Sequence, residues 1–282
     1  MLLRLLTIIL ALAIAMMACG FNVNMPQIPT AGPDVTDQIS VPVPSGGGTT
    51  MLSLGFGAGE MDLNPGGDGL VSGTATYNIP ALKPTVSVNG SVVKIAQGNL
   101  QGFNGIPKDL HNTWDLKLGS SPMDLQIDAG AYKARYELGG LALSNLTIKD
   151  GASDVQLKFS APNTTEMGIF RYETGASNVT IEGIGNANPS TFLFKCGAGN
   201  YTLDFSGQLQ RNITSHLEAG LGNLTLVIPS GVSAQVTVEK GLSNVNAGSG
   251  WQVNDNTYIQ SGTGPTLNII VDIGAGNLTL TH

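Results

Sequence analysis

Gly197-Ala198-Gly199-Asn200-Tyr201-Thr202-Leu203 decides the reading of this chain, because it returns as Gly220-Leu221-Gly222-Asn223-Leu224-Thr225-Leu226 and as Gly274-Ala275-Gly276-Asn277-Leu278-Thr279-Leu280. Related copies are Gly57-Ala58-Gly59-Glu60-Met61-Asp62-Leu63, Gly151-Ala152-Ser153-Asp154-Val155-Gln156-Leu157 and Gly175-Ala176-Ser177-Asn178-Val179-Thr180-Ile181. A weaker copy starts at Gly241 and a looser one at Gly119. Between Gly151 and Gly241 the first glycines are 24, 22, 23 and 21 residues apart. A period of this size marks stacked supersecondary units that cannot bury an apolar face alone. Within each copy Leu-Thr-Leu or Val-Thr-Ile alternates, which puts aliphatic residues on one strand face and Thr on the other.

The expected fold is therefore all-β: a single-chain, β-helix-like β-solenoid of about 22-residue repeats with no substantial helix after an amino-terminal signal. Gly, Pro and β-branched residues interrupt every helical pattern. Each unit is expected to open with a turn, Gly supplying positive φ and Asn or Asp a local acceptor. The structural turn residues on this reading are Gly151, Asp154, Gly175, Asn178, Gly197, Asn200, Gly220, Asn223, Gly274 and Asn277. The fourth position carries Asp at 154, Glu at 60 and Asn elsewhere, and a ligand or base would not survive exchange of carboxylate for amide. Several Asn-x-Thr triplets fall out of the same repeat and are read as turn plus strand, not as glycosylation sites.

Outward from the repeats, residues 1–18 hold one charge, Arg4, and an apolar run from Leu5 to Ala15, and read as a lipoprotein signal peptide. Ala15-Met16-Met17-Ala18-Cys19 resembles a bacterial lipobox, with Met17 larger than the usual residue there. Cys19 is the expected lipidation site, which places the chain outside the cytoplasm as a membrane-anchored lipoprotein at the cell surface or in the periplasm. Residues 19–50, with Pro26, Pro29, Pro33, Pro42, Pro44 and Gly46-Gly47-Gly48, read as a flexible tether. Residues 51–115 follow as an amino-terminal β segment and 116–282 as the carboxy-terminal solenoid.

Only 12% of residues are charged, with 38 Gly and a net charge of -7. No basic run is present, which argues against nucleic acid as a partner. His111, His216 and His282 are far apart and no His or Cys has metal-ligand spacing, so no metal or cofactor is expected. Gly66-Gly67-Asp68-Gly69 is the nearest approach to a calcium-binding turn, occurs once, and reads as a plain turn. Cys196 ends an apolar run and reads as a buried small hydrophobe. No catalytic residues are assigned. The one duplicated charged pattern is Arg135-Tyr136-Glu137 and Arg171-Tyr172-Glu173, each four residues before a glycine. Stacked in phase, Arg135, Glu137, Arg171 and Glu173 would form a contact stripe for a glycan or protein; a solvent-facing ion-pair ladder over buried Tyr is the alternative.

Leu138-Gly139-Gly140-Leu141-Ala142-Leu143-Ser144-Asn145-Leu146-Thr147-Ile148, with the strings 151–157, 197–207 and 274–280, resembles the toastrack β-solenoid family. That family includes carboxy-terminal domains of LiaF-type cell-envelope stress proteins and heads of candidate adhesins. Residues 52–98 look like its amino-terminal segment. The resemblance implies an envelope scaffold, sensor or adhesion-type head without catalytic residues; the expected partners are envelope proteins or polysaccharide and, through the lipobox-like Cys19, the membrane. The chain lacks the several amino-terminal transmembrane helices of the LiaF type. A carbohydrate-binding or carbohydrate-active solenoid using the Arg/Glu stripe is the second reading.

Overall fold

The structure, a computed structural model, describes residues 31–99, 109–239 and 242–282. Signal peptide, Cys19 and the first part of the expected tether lie outside the described residues. The rest is one continuous mixed sheet of sixteen strands, folded on itself. Its spine is seven long strands: β2 (Thr50–Pro65), β7 (Met123–Glu137), β8 (Leu143–Lys158), β9 (Met167–Glu182), β10 (Pro189–Asp204), β11 (Ile213–Val227) and β16 (Thr263–Thr281). They lie side by side, parallel and in register.

The copies that begin at Gly57, Gly151, Gly175, Gly197, Gly220 and Gly274 each sit in the middle of a long strand, not at its start. The strand bends there into two limbs, and the ladder skips the first glycine: Cys196 pairs Ala219 and Ala198 pairs Leu221, with Gly197 and Gly220 between. The motif is thus a corner. Positive φ belongs to its third residue, 153° at Gly199, 133° at Gly222 and 146° at Gly276, and not to the first. The first glycines stack instead: a Cβ on Gly197 would lie 2.5 Å from the Gly175 carbonyl oxygen, and one on Gly220 2.8 Å from that of Gly197. Close approach of backbone to backbone, rather than left-handed geometry, is what demands glycine there.

Shorter strands extend both limbs. The limb after the corner continues from β2 through β6 (Asn112–Leu118) and β3 (Val71–Tyr77) to β1 (Val35–Val41), and ends beyond β16 at β13 (Leu242–Ala247). The limb before the corner is flanked on one side by the hairpin β4 (Thr85–Asn89) and β5 (Val92–Ala96). On the other side lie β12 (Val232–Glu239), β15 (Thr257–Gln260) and β14 (Gln252–Asn254). Helix is confined to a short 3-10 turn at Pro80–Leu82 and α1 (Ile184–Ala187) among the described residues.

Two expected boundaries move. β1 lies inside the segment read as a tether, because Ile39 and Val41 alternate with Gln38 and Ser40 and bury their side chains while the strand pairs antiparallel with β3. Pro42 follows the last residue of β1, where a missing donor is tolerated at a strand end. β6 runs across the expected boundary at residue 115, so the sheet is continuous there. The core fills the angle between the limbs, and its centre is a run of aromatics: Phe170 to Phe192 at 4.8 Å, Phe194 to Tyr201 at 5.5 Å, Tyr172 to Phe194 at 5.6 Å. Each fully buried Leu, Ile or Phe contributes roughly 1.5–3 kcal/mol, and inward alternation on both limbs is what supplies them.

Candidate functional site

Because strands stack in register, every outward position becomes a column running the length of the rack. On the limb before the corner, the residue two before the corner glycine reads Asp128, Lys149, Glu173, Lys195, Glu218 and Asp272 along neighbouring strands. Signs alternate over five rungs. Lys195 meets Glu218 at 2.7 Å, Lys149 meets Glu173 at 3.7 Å, and Arg171 meets Glu173 at 3.0 Å. The Lys195 ammonium is shifted upward chiefly by its hydrogen bond to Glu218. These pairs are solvent-exposed, so the column sets pairing register and polarity more than stability. Its signal was present in the sequence, visible once copies are aligned on the corner glycine.

The Arg-Tyr-Glu triplets do not stack. Arg171 precedes the corner of β9 and pairs with Thr147, whereas Arg135 follows the corner of β7 and pairs with Gln156. The physical reason is that Gly175 is a corner glycine while Gly139 lies beyond the end of β7. Glu137 is also committed elsewhere: its Oε1 accepts the Gly139 N–H at 2.7 Å and the Ser160 N–H at 3.2 Å. Arg135 stands 3.9 Å from Asp62 over a shallow depression of about 550 Å³, whose lining includes Asn64, Gln156, Lys158 and Glu182. Asp62 is raised, first by burial, with Arg135 opposing. Both tyrosines of the triplets are buried as expected.

On the limb after the corner, the fourth motif residues form a ladder. The Asn200 amide donates to Asn178 Oδ1 at 3.1 Å, Asn223 to Asn200 at 2.9 Å and Asn277 to Asn223 at 2.8 Å. Asparagine therefore bonds the next rung, and its expected role as a local turn acceptor is replaced by one across strands. The column continues in register through Asp154, Lys133 and Glu60 on one side and to Asn244 on the other. Two residues on, Thr180, Thr202, Thr225 and Thr279 make a hydroxyl row on the same face. Two residues before, Ala176, Ala198, Leu221 and Ala275 make an apolar row, with Leu221 59% exposed.

Inside the corner, Asp150 takes the place held by Cys196 and Ala219 in other rungs. Its Oδ2 accepts Tyr172 Oη at 2.8 Å and Tyr132 Oη at 3.3 Å, and its Oδ1 accepts the Thr174 hydroxyl. Ser177 Oγ lies 2.5 Å from Thr174 Oγ1 and accepts the Ser153 N–H at 3.0 Å. Burial above all pushes the Tyr172, Tyr136 and Tyr132 phenols upward. No sequence signal marked this network except the lone carboxylate in an otherwise apolar or neutral column. Cys196 is buried with its thiol pushed up to about 12 by desolvation, as befits the packing role read from its sequence. Gly66–Gly69 is the turn between β2 and β3, where the Asp68 N–H donates to Ser72 Oγ at 3.1 Å. His111 pairs with Asp34 at 2.8 Å, and His216 is exposed on β11.

The family model for the N-terminal domain of toast_rack, DUF2154, matches residues 31–182. Among solved structures, the chain is similar to a candidate cell adhesion protein of Clostridium sporogenes at 20% identity and a TM-score of 0.52, covering 88% of this chain and 99% of that one. It is similar to a candidate adhesin of Bacteroides fragilis at 13% identity and a TM-score of 0.41, covering 90% and 99%. A candidate lipid binding protein of Parabacteroides distasonis gives 10% identity, a TM-score of 0.37, and coverage of 89% and 98%. At these identities the likeness concerns fold alone. No curated protein matches the chain.

Proposed function

The chain belongs to the toast-rack family, and from that premise we propose that it is a non-enzymatic, extracytoplasmic surface module of adhesion or scaffold type, lipid-anchored through Cys19 and contacting envelope proteins or polysaccharide through its outer faces. The supporting observation is the outward asparagine ladder of 2.8–3.1 Å bonds from β9 to β16, in which polar side chains on successive strands hold one another in a continuous row. A rigid face of this kind presents repeated hydrogen-bonding groups to an extended partner, whereas catalysis on a small substrate draws on groups converging in a concave site. The similarity in fold to a candidate cell adhesion protein of Clostridium sporogenes agrees with this reading. The carbohydrate-active alternative loses its basis with the Arg/Glu stripe.

The test has two arms. Cys19→Ser should move the chain from the membrane to the soluble fraction, and globomycin should make the precursor accumulate; equal membrane association of wild type and variant would contradict the anchor. The full chain purified in detergent should cosediment with isolated bacterial cell envelopes, and failure to do so would contradict the contact role.

A further inference from the structure

We infer that the outer face after the corner, from β9 to β13, is the docking surface for a neutral linear polysaccharide lying along the stacking axis; this rests on the surface-module reading and names its ligand class. The face carries three parallel bands: the apolar row that includes exposed Leu221, the asparagine row and the threonine row. Successive rungs are about 4.8 Å apart and successive bands about 7 Å, the inter-strand spacing and twice the strand rise. A surface that repeats by translation is used fully only by a partner that also repeats, which separates a polymer from a globular protein.

The chemistry of the bands narrows the polymer. All three are uncharged from β9 to β16, and the charges on this face stand at its margin, where Glu182 at the end of β9 pairs with Lys158 and Asp204 at the end of β10 accepts from Ser206, while the column on the other limb alternates in sign. A polyanion or polycation would give up its hydration on these bands with no counter-charge within them. A neutral sugar chain instead offers C–H faces to the apolar row and hydroxyls to the amides and threonines. The amides are already fixed by rung-to-rung bonds. Binding therefore loses little side-chain freedom.

The experiment uses the full chain in detergent with microcrystalline cellulose, chitin and alginate beads as probes. Retention is expected on a neutral polymer and not on alginate. Thr225→Lys and Asn200→Asp, which each place charge in the array, should lower retention about tenfold, a change of about 1.4 kcal/mol. Lys195→Gln on the other limb should leave it unchanged, with circular dichroism checking the fold of all three. No retention on either neutral polymer, equal retention on alginate, or equal retention of both array variants would overturn the inference. Envelope cosedimentation run in parallel separates the two readings: if array variants keep wild-type envelope binding the array assignment falls and the module stands, while a wild type that binds no envelope removes the module itself.

Discussion

Gly197→Ala isolates the reason for glycine at the corner. The added Cβ would sit 2.5 Å from the Gly175 carbonyl oxygen, about 1 Å inside the roughly 3.5 Å of ordinary contact. That oxygen belongs to the next rung's backbone and cannot swing aside without disturbing the ladder. Overpacking of this kind costs about 1–3 kcal/mol. The smaller entropy of the unfolded Ala chain returns about 0.4–1 kcal/mol. No left-handed strain adds to the sum, because φ at Gly197 is not positive. Net destabilisation of about 1–2 kcal/mol follows. Gly151→Ala is the internal comparison: its Cβ would stand 3.1 Å from the Gly130 carbonyl oxygen, where a few tenths of an ångström of relief suffices. The same entropic return should leave it within about 0.5 kcal/mol of wild type. The pair should differ by roughly 2–8 °C in Tm for a chain of this size, read by calorimetry and urea titration. A Gly197→Ala chain as stable as wild type, or a Gly151→Ala chain equally damaged, would refute the close-approach argument.

Three further outcomes are expected. Asp150→Ala leaves the buried Tyr172 hydroxyl without its acceptor, and urea denaturation should show a loss of about 1–3 kcal/mol; an unchanged midpoint would mean the network contributes nothing. His282 directs Nδ1 at the Ile228 carbonyl at 3.1 Å and Nε2 at the Ser249 carbonyl at 2.7 Å while stacking on Trp251. Both nitrogens donate only in the imidazolium, and these two backbone bonds, Ser249 first, raise its pKa. The resulting stability is fully present below the unfolded His value of about 6.5 and is lost as pH rises through the higher folded value, so tryptophan-reported stability in this region should fall across that window; a flat or rising profile would contradict it. Cys196 should react with a thiol reagent at pH 8 only after unfolding, and rapid reaction of the native chain would contradict its burial and raised pKa.

The period, the inward alternation and the family were legible because Gly-Ala-Gly-Asn copies align at a near-constant spacing. The corner was not, since a Gly-rich tetrapeptide serves a turn and a bent strand equally well, and periodicity carries no φ. β1 was hidden because prolines at 33, 42 and 44 frame a strand with only Ile39 and Val41 buried. The Arg/Glu stripe failed for a related reason: counting to the next glycine cannot tell a corner glycine from a loop glycine, and the error moved one triplet to the other limb. The asparagine column was visible as a repeated residue, but that its amides bond each other depended on strands being parallel and in register.

Register is therefore the property on which the rest stands, and cysteine pairing measures it most directly. In a Cys19→Ser, Cys196→Ser background, Asn200→Cys with Asn223→Cys places thiols on directly paired positions, within the Cα separation of about 4.4–6.8 Å that a disulfide spans. Copper-phenanthroline oxidation should crosslink that pair, while Arg135→Cys with Arg171→Cys should stay reduced because its residues lie on different limbs. A crosslink at 135 and 171 with none at 200 and 223 would contradict the in-register rack and the faces built on it.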